Sequence, residues 1–149
     1  MDETPQTTSS TRRRVRRIAT WVLVAAWAGV IFWFSTRPGS QIPSGYSDQG
    51  HLGEYLIFGV LLYTAVRTDL TRSQAFSIAI IAASLYGMTD EFHQHFVVMR
   101  TPDVVDWGVD TIGATLGTLL ALAATRASTQ SRRKALNREA SVHVAGEPQ

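Results

Sequence analysis

Residues 103–117, DVVDWGVDTIGATLG, decide the fold, because this stretch begins acidic and ends apolar. At helical spacing its three aspartates and two glycines fall on one stripe. These residues are Asp103, Asp106, Asp110, Gly113 and Gly117. A GxxxG pair lets a neighbouring helix approach closely inside a membrane. Because the acids and the packing glycines share a face, we predict that Asp106 and Asp110 point into a helix bundle and not into lipid.

Three more apolar stretches precede this helix. Residues 18–34 and 73–89 carry no charge, and residues 52–66 carry only Glu54. Each is slightly shorter than the roughly 20 residues that cross a hydrocarbon core, so flanking polar residues must enter the spans. We therefore predict an all-α membrane protein, a compact bundle of four transmembrane helices. The spans are expected at about 18–35, 50–66, 73–90 and 104–125. A soluble bundle is the alternative, but each of its helices would need a polar face.

The basic residues are divided twelve to two among the polar segments. The four apolar stretches divide the chain into five polar segments. The first, third and fifth hold twelve basic residues, whereas the second and fourth hold only Arg37 and Arg100. Short loops rich in Lys and Arg stay cytoplasmic, so both termini are predicted inside. Residues 1–17 and 126–149 are predicted to be disordered basic cytoplasmic tails around a domain at 18–125. No aromatic residue interrupts the basic run, so we expect anionic lipid and not nucleic acid as its partner.

The polar residues that can do chemistry lie on the predicted outer side, in three clusters that each form one helix face. They are His51, Glu54 and Tyr55; then Tyr86, Asp90 and His93, with Gly87, Glu91 and Gln94 on the adjacent stripe; then Asp103, Asp106 and Asp110. With Asp48, seven carboxylates lie on this side and face only two arginines. Such a site needs a proton, a metal ion or a cationic ligand to balance it. The alternative is mutual pairing, of Arg100 with Asp103 or Asp106, and of His51 with Glu54 or Glu91.

Candidate roles follow from side-chain chemistry. Glu91, His93 and Asp106 are the candidate catalytic residues, with Glu91 and His93 as acid and base. A divalent metal ion is a possible cofactor, because nitrogen and oxygen ligands suit Zn²⁺, Mn²⁺ or Mg²⁺. Its candidate ligands are His51, Glu54, Asp90, Glu91 and His93. The candidate substrate-binding residues are His51, Glu54, Tyr55, Asp90, Gln94, Arg100, Asp103 and Asp110. The chain has no Cys, so disulfides and thiolate metal sites are excluded.

Read in order, these residues form an extended motif. It runs Trp33-Phe34-Ser35-x-x-Pro38, Asp48-x-x-His51-x-x-Glu54-Tyr55, Tyr86-Gly87-x-x-Asp90-Glu91-x-His93-Gln94-x-Phe96, and Arg100-x-x-Asp103-x-x-Asp106-x-x-x-Asp110-x-x-Gly113-x-x-x-Gly117. Over about residues 30–120 the pattern resembles the VanZ-like family of small bacterial membrane proteins. It departs at Gln49, where the family usually has a basic residue, and at Asp110, where it usually has Asn. The resemblance implies four transmembrane helices and, for the founding members, reduced sensitivity to glycopeptides such as teicoplanin.

Three functions remain open on these grounds. The first is binding or modifying a cell-envelope component, such as a lipid-linked cell-wall precursor or the lipoglycopeptide itself, at the outer face of the bacterial cytoplasmic membrane. The second is a metal- or acid/base-dependent intramembrane hydrolase or transferase. The third, transport of a proton or small cation, is disfavoured because the third span and the part of the fourth after Asp110 carry no charge toward the cytoplasm. Membrane lipids are expected partners, and the oligomeric state stays open.

Overall fold

The computed structural model describes residues 6–41 and 47–145, and this part is helical without any β-strand. Its elements are α1 (Gln6–Ser35), a 3-10 turn (Gly39–Gln41), α2 (Ser47–Val66), α3 (Arg72–Gln94) and α4 (Val104–Ala145). The prediction of an all-α fold with four helices is confirmed.

The four helices alternate in direction, as contacts at the two ends of the bundle show. At one end, Arg13 near the start of α1 donates to the Thr68 carbonyl after α2, over 3.2 Å. There Arg72, which begins α3, also donates to Thr129 of α4 over 2.8 Å. At the opposite end, the starts of α2 and α4 meet. Short connections between adjacent helices favour this antiparallel arrangement. We call the two ends the basic end and the acidic end.

The central contact of the bundle is between α2 and α4, and glycines make it close. A Cβ on Gly117 would overlap the carbonyl oxygen of Leu56, and one on Gly113 would lie 2.6 Å from the carbonyl oxygen of Leu52. Gly59 of α2 meets the Ala114 carbonyl in the same way. With no side chain between them, the two backbones touch directly.

α3 packs through a stripe of small residues. Ala75, Ala79 and Ala83 are fully buried at four-residue spacing, and the buried stripe continues through Gly87 to polar residues at the acidic end. The helix begins with a capping box, in which Thr71 and Gln74 bond each other's backbone amides. Small side chains allow α3 to lie close to its neighbours, so the polar residues that follow on this stripe are held in the bundle.

Large apolar side chains cover the lateral surface of the bundle. Ile81 is 58% exposed and Leu120 is 59% exposed. Among the described residues, two helical segments are long and apolar enough to cross a membrane, Ser10–Ser35 and Val104–Glu139. A third, Gly50–Val66, is apolar but shorter. Two possible spans are therefore present, and the four-span topology remains a prediction.

The structure differs from the sequence prediction at the tails. α1 already begins at Gln6 and α4 continues to Ala145, so residues 6–17 and 126–145, expected to be disordered, are helical. The second of these segments is rich in Ala, Arg and other good helix formers, and no Gly or Pro interrupts it before Gly146. Its polarity predicted disorder, whereas its helix propensity and the helix that precedes it favour continuation of α4. The remaining tail residues, 1–5 and 146–149, lie outside the described part.

Candidate functional site

Three helices bring potential metal ligands together at the acidic end. His51 of α2, Glu91 of α3 and Asp106 of α4 each offer one ligand atom, and these atoms lie within 4.8 Å of one another. His51 and Glu91 are buried, and Asp106 is half-buried. We call these three residues the triad. His51 and Glu91 belong to the metal set expected from sequence, whereas Asp106 was expected in a catalytic role.

His51 is oriented by a buried carboxylate. Its Nδ1 lies 2.9 Å from Oδ1 of Asp110, which is fully buried. An ionised carboxylate only accepts hydrogen bonds, so with Asp110 ionised the His51 Nδ1 donates, and Nε2 is the nitrogen that a ligand would use. A carboxylate behind a histidine in this way fixes the ring and raises its basicity as a metal ligand. The expected pairing of His51 with Glu54 or Glu91 is thus replaced by a hydrogen bond to Asp110.

Glu91 ties α3 to the start of α4. Its Oε2 accepts a hydrogen bond from the Asp103 amide at 2.9 Å, while its Oε1 is buried without a hydrogen-bond partner in the described part of the chain. Glu91 lies just beyond the predicted third span. Burial raises the pKa of its carboxyl above the ordinary value, and the Asp103 amide opposes part of that rise. One oxygen is therefore structural, and the other is available to a ligand.

Asp103 caps the start of α4. It is exposed, and its Oδ1 accepts from the Val105 amide at 2.8 Å. This is an N-cap contact, which satisfies one of the free amides at the start of α4. The three aspartates that share a stripe thus lie in three environments: Asp103 exposed, Asp106 half-buried and Asp110 fully buried.

A second polar group lies beside the triad, where α3 meets the end of α1. Asp90 and Gln94 are buried, and Gln94 Nε2 donates to Asp90 Oδ2 at 3.4 Å. Ser35, also buried, lies beside Asp90. Neither Ser35 Oγ nor Asp90 Oδ1 has a hydrogen-bond partner of good geometry among the described residues. Ser35 was not predicted as a site residue, although it stands in the motif directly after an apolar span.

His93 lies with this second group and not with the triad. Its ring packs on Phe32 of α1, with 4.7 Å between ring centroids, and it interacts electrostatically with Asp90. Glu91, two residues earlier on α3, contacts α4 instead. Residues two apart on a helix point to different sides, so the structure does not bring Glu91 and His93 together as an acid–base pair.

The remaining predicted residues surround these two groups. Tyr55 is fully buried and packs edge-on against Phe58. Glu54 is half-buried, and its backbone carbonyl accepts a hydrogen bond from Trp27 Nε1 at 2.9 Å. Arg100 donates to the Arg37 carbonyl at 3.4 Å and interacts electrostatically with Glu54. Arg100 therefore reaches the cluster from the loop between α3 and α4.

Comparison with known proteins shows the family to which this chain is similar. A family model described as VanZ/LLP1 matches residues 20–125, which include the triad and the second polar group. Searches for similar curated proteins and similar solved structures gave no significant match.

Proposed function

Because the chain belongs to the VanZ/LLP1 family, we propose that it is a multi-pass protein of the bacterial cytoplasmic membrane that engages an envelope component at its outer face. The family is associated with teicoplanin resistance in general. For this chain we propose lowered sensitivity to teicoplanin or a related lipoglycopeptide. The acidic end faces outward in this proposal, because the Lys and Arg residues concentrate at the other end.

The single observation that carries the proposal is the triad. Its ligand atoms come within 4.8 Å of one another, and one of the Glu91 oxygens is buried without a partner in the described residues. A carboxylate in such a place is costly unless something positive balances it. A divalent ion held by one imidazole and two carboxylates would provide that charge, and Zn²⁺ or Mn²⁺ suits this mixed donor set.

The ion also resolves a conflict in the binding hypothesis. A lipid-linked cell-wall precursor carries anionic phosphate, which the carboxylates of the acidic end would repel. A metal ion on the triad would attract it, and Arg100 stands at the rim of the same cluster. Binding or sequestering such a head group, or the lipoglycopeptide itself, would reduce the effect of the drug at the membrane surface.

Metal analysis tests this proposal directly. Protein purified in detergent and equilibrated with Zn²⁺ or Mn²⁺ should hold about one ion per chain. Loss of a residue that only orients a metal ligand weakens metal binding about 10- to 100-fold. His51→Ala and Glu91→Gln each remove a ligand, so each should weaken binding by at least that much. The matched control is His95→Ala, because His95 is an exposed histidine directly after α3, the helix that carries Glu91. The proposal fails if no ion binds stoichiometrically, or if His95→Ala loses the ion as the triad variants do.

Drug susceptibility tests the cellular role. In a host in which the wild-type chain lowers teicoplanin sensitivity, His51→Ala, Glu91→Gln and Asp106→Asn should each restore sensitivity at equal protein levels. If sensitivity stays low when all three are changed together, the triad is structural and the binding proposal is wrong.

A second candidate, a metal-dependent hydrolase or transferase, is favoured by the Asp110–His51 pair. That pair resembles the carboxylate–histidine arrangement that orients metal ligands in enzymes. An ion held by the triad would lower the pKa of water for attack on a phosphoester, ester or amide. Incubation of the metal-loaded protein with a lipid-linked pyrophosphate precursor distinguishes catalysis from binding. Release of product that depends on Glu91 supports catalysis, whereas retention of intact precursor supports binding.

A further inference from the structure

A cavity of about 610 Å³ lies at the basic end of the bundle, opposite the triad. Four arginines line it, Arg13, Arg16, Arg67 and Arg72. They come from α1, from the segment after α2 and from the first residue of α3. The hydroxyl-bearing residues Thr125, Ser128 and Thr129 of α4 form another wall. We call this the basic cavity.

Hydrogen bonds hold three of the guanidinium groups in place. Arg72 Nη2 donates to Thr129 Oγ1 at 2.8 Å, Arg67 Nη1 to the Leu70 carbonyl at 2.7 Å, and Arg13 Nη2 to the Thr68 carbonyl at 3.2 Å. These acceptors are neutral, so the bonds position the side chains without cancelling their charge. Pre-positioned guanidinium forks bind the oxygens of phosphate well.

The charges around the cavity are not balanced. No carboxylate of residues 6–41 or 47–145 lines it. The neighbouring Asp69 is engaged by Arg17 at 3.2 Å and by Arg13 at 3.8 Å. Arg16, Arg67 and Arg72 form no ion pair in the part of the chain that the structure describes. Three uncompensated cations that share one cavity attract an anion of matching size.

We propose that the basic cavity binds a phosphate monoester or diester group, as carried by the head group of an anionic membrane lipid or by a soluble phosphate compound. The lipid source is favoured by position, because Val15 and Ile18 beside the arginines of α1 are 60% and 54% exposed. Apolar side chains next to a basic rim suit the boundary between acyl chains and head groups. This site shares no residue with the triad.

The test uses the full-length chain in detergent micelles doped with phosphatidylglycerol or, for comparison, phosphatidylcholine. Thermal unfolding and native mass spectrometry should show at least tenfold tighter binding of phosphatidylglycerol. Arg16→Gln should weaken this preference about tenfold, and Arg72→Gln should do the same. The matched control is Arg132→Gln, which removes the same charge from the exposed extension of α4 and should leave binding unchanged.

A second arm replaces lipid by inorganic phosphate and pyrophosphate. Stabilisation by either compound, lost in Arg16→Gln, assigns the cavity to a soluble phosphate, whereas stabilisation by phosphatidylglycerol alone assigns it to lipid. The Arg16 side chain makes no hydrogen bond within the described residues, so its variant should fold normally. Thr129→Val removes the hydrogen bond that positions Arg72 but no charge, so it should weaken the lipid preference less than Arg72→Gln does. Equal binding of the two lipids with no effect of phosphate, or equal losses in Arg16→Gln and Arg132→Gln, would overturn the proposal.

Discussion

Replacing Gly117 by Ala tests the packing on which the acidic end depends. The added Cβ would overlap the Leu56 carbonyl oxygen, and that backbone cannot rotate out of the way as a side chain can. α2 and α4 must therefore separate. Overpacking of this kind costs about 1–3 kcal/mol, and contact with backbone favours the upper part of that range. Ala also gains about 1 kcal/mol over Gly in helix propensity. We expect a net loss of about 1–2 kcal/mol.

Gly108 of the same helix provides the control, because a Cβ built there has no atom within 4 Å. Gly108→Ala should gain about 1 kcal/mol from helix propensity alone. The two variants make the same chemical change, and their effects on stability should have opposite signs. Unfolding of the purified protein by sodium dodecyl sulfate in mixed micelles, followed by tryptophan fluorescence, measures both. If Gly117→Ala is as stable as Gly108→Ala, the α2–α4 contact is looser than described and the reasoning is refuted.

Two further predictions concern the ion and the topology. Asp110→Asn should weaken Zn²⁺ or Mn²⁺ binding about 10- to 100-fold, because the carboxylate behind His51 is lost while all triad ligands remain; unchanged affinity in a metal titration would contradict this. Because the natural chain has no Cys, single cysteines report sidedness without background labelling. A membrane-impermeant maleimide should label Ser40→Cys in intact cells and Ser131→Cys only after permeabilisation, and the opposite pattern would contradict the proposed orientation.

Much of the bundle was accessible from the sequence, because helical periodicity and charge are local signals. Spacing placed Asp110 and Gly113 on one stripe, and the structure buries Asp110 completely. Periodicity shows which residues share a face of one helix. It does not show which residue of a neighbouring helix that face meets. The partner of His51 depends on the axial register of α2 against α4, which the glycine contacts set and which no local pattern encodes.

The metal set shows the same limit. The sequence prediction paired Glu91 with His93 as acid and base, yet one faces α4 and the other faces α1. Asp106 joins His51 and Glu91 only because α4 begins beside both. Ser35 gave too weak a signal to be selected, since a buried serine at a helix end is common. Each of these outcomes depends on packing between helices and not on composition.

α4 is one unbroken helix of 42 residues, and it serves both ends of the molecule. Asp106 near its start and Thr125 on the basic cavity are about 28 Å apart at 1.5 Å per residue. A helix of this kind transmits tilt or sliding along its whole length. Two ligands whose affinities both depend on the position of α4 would be coupled through it, and such a coupling is reciprocal. The triad and the basic cavity, proposed as two separate binding sites, therefore share one continuous structural element.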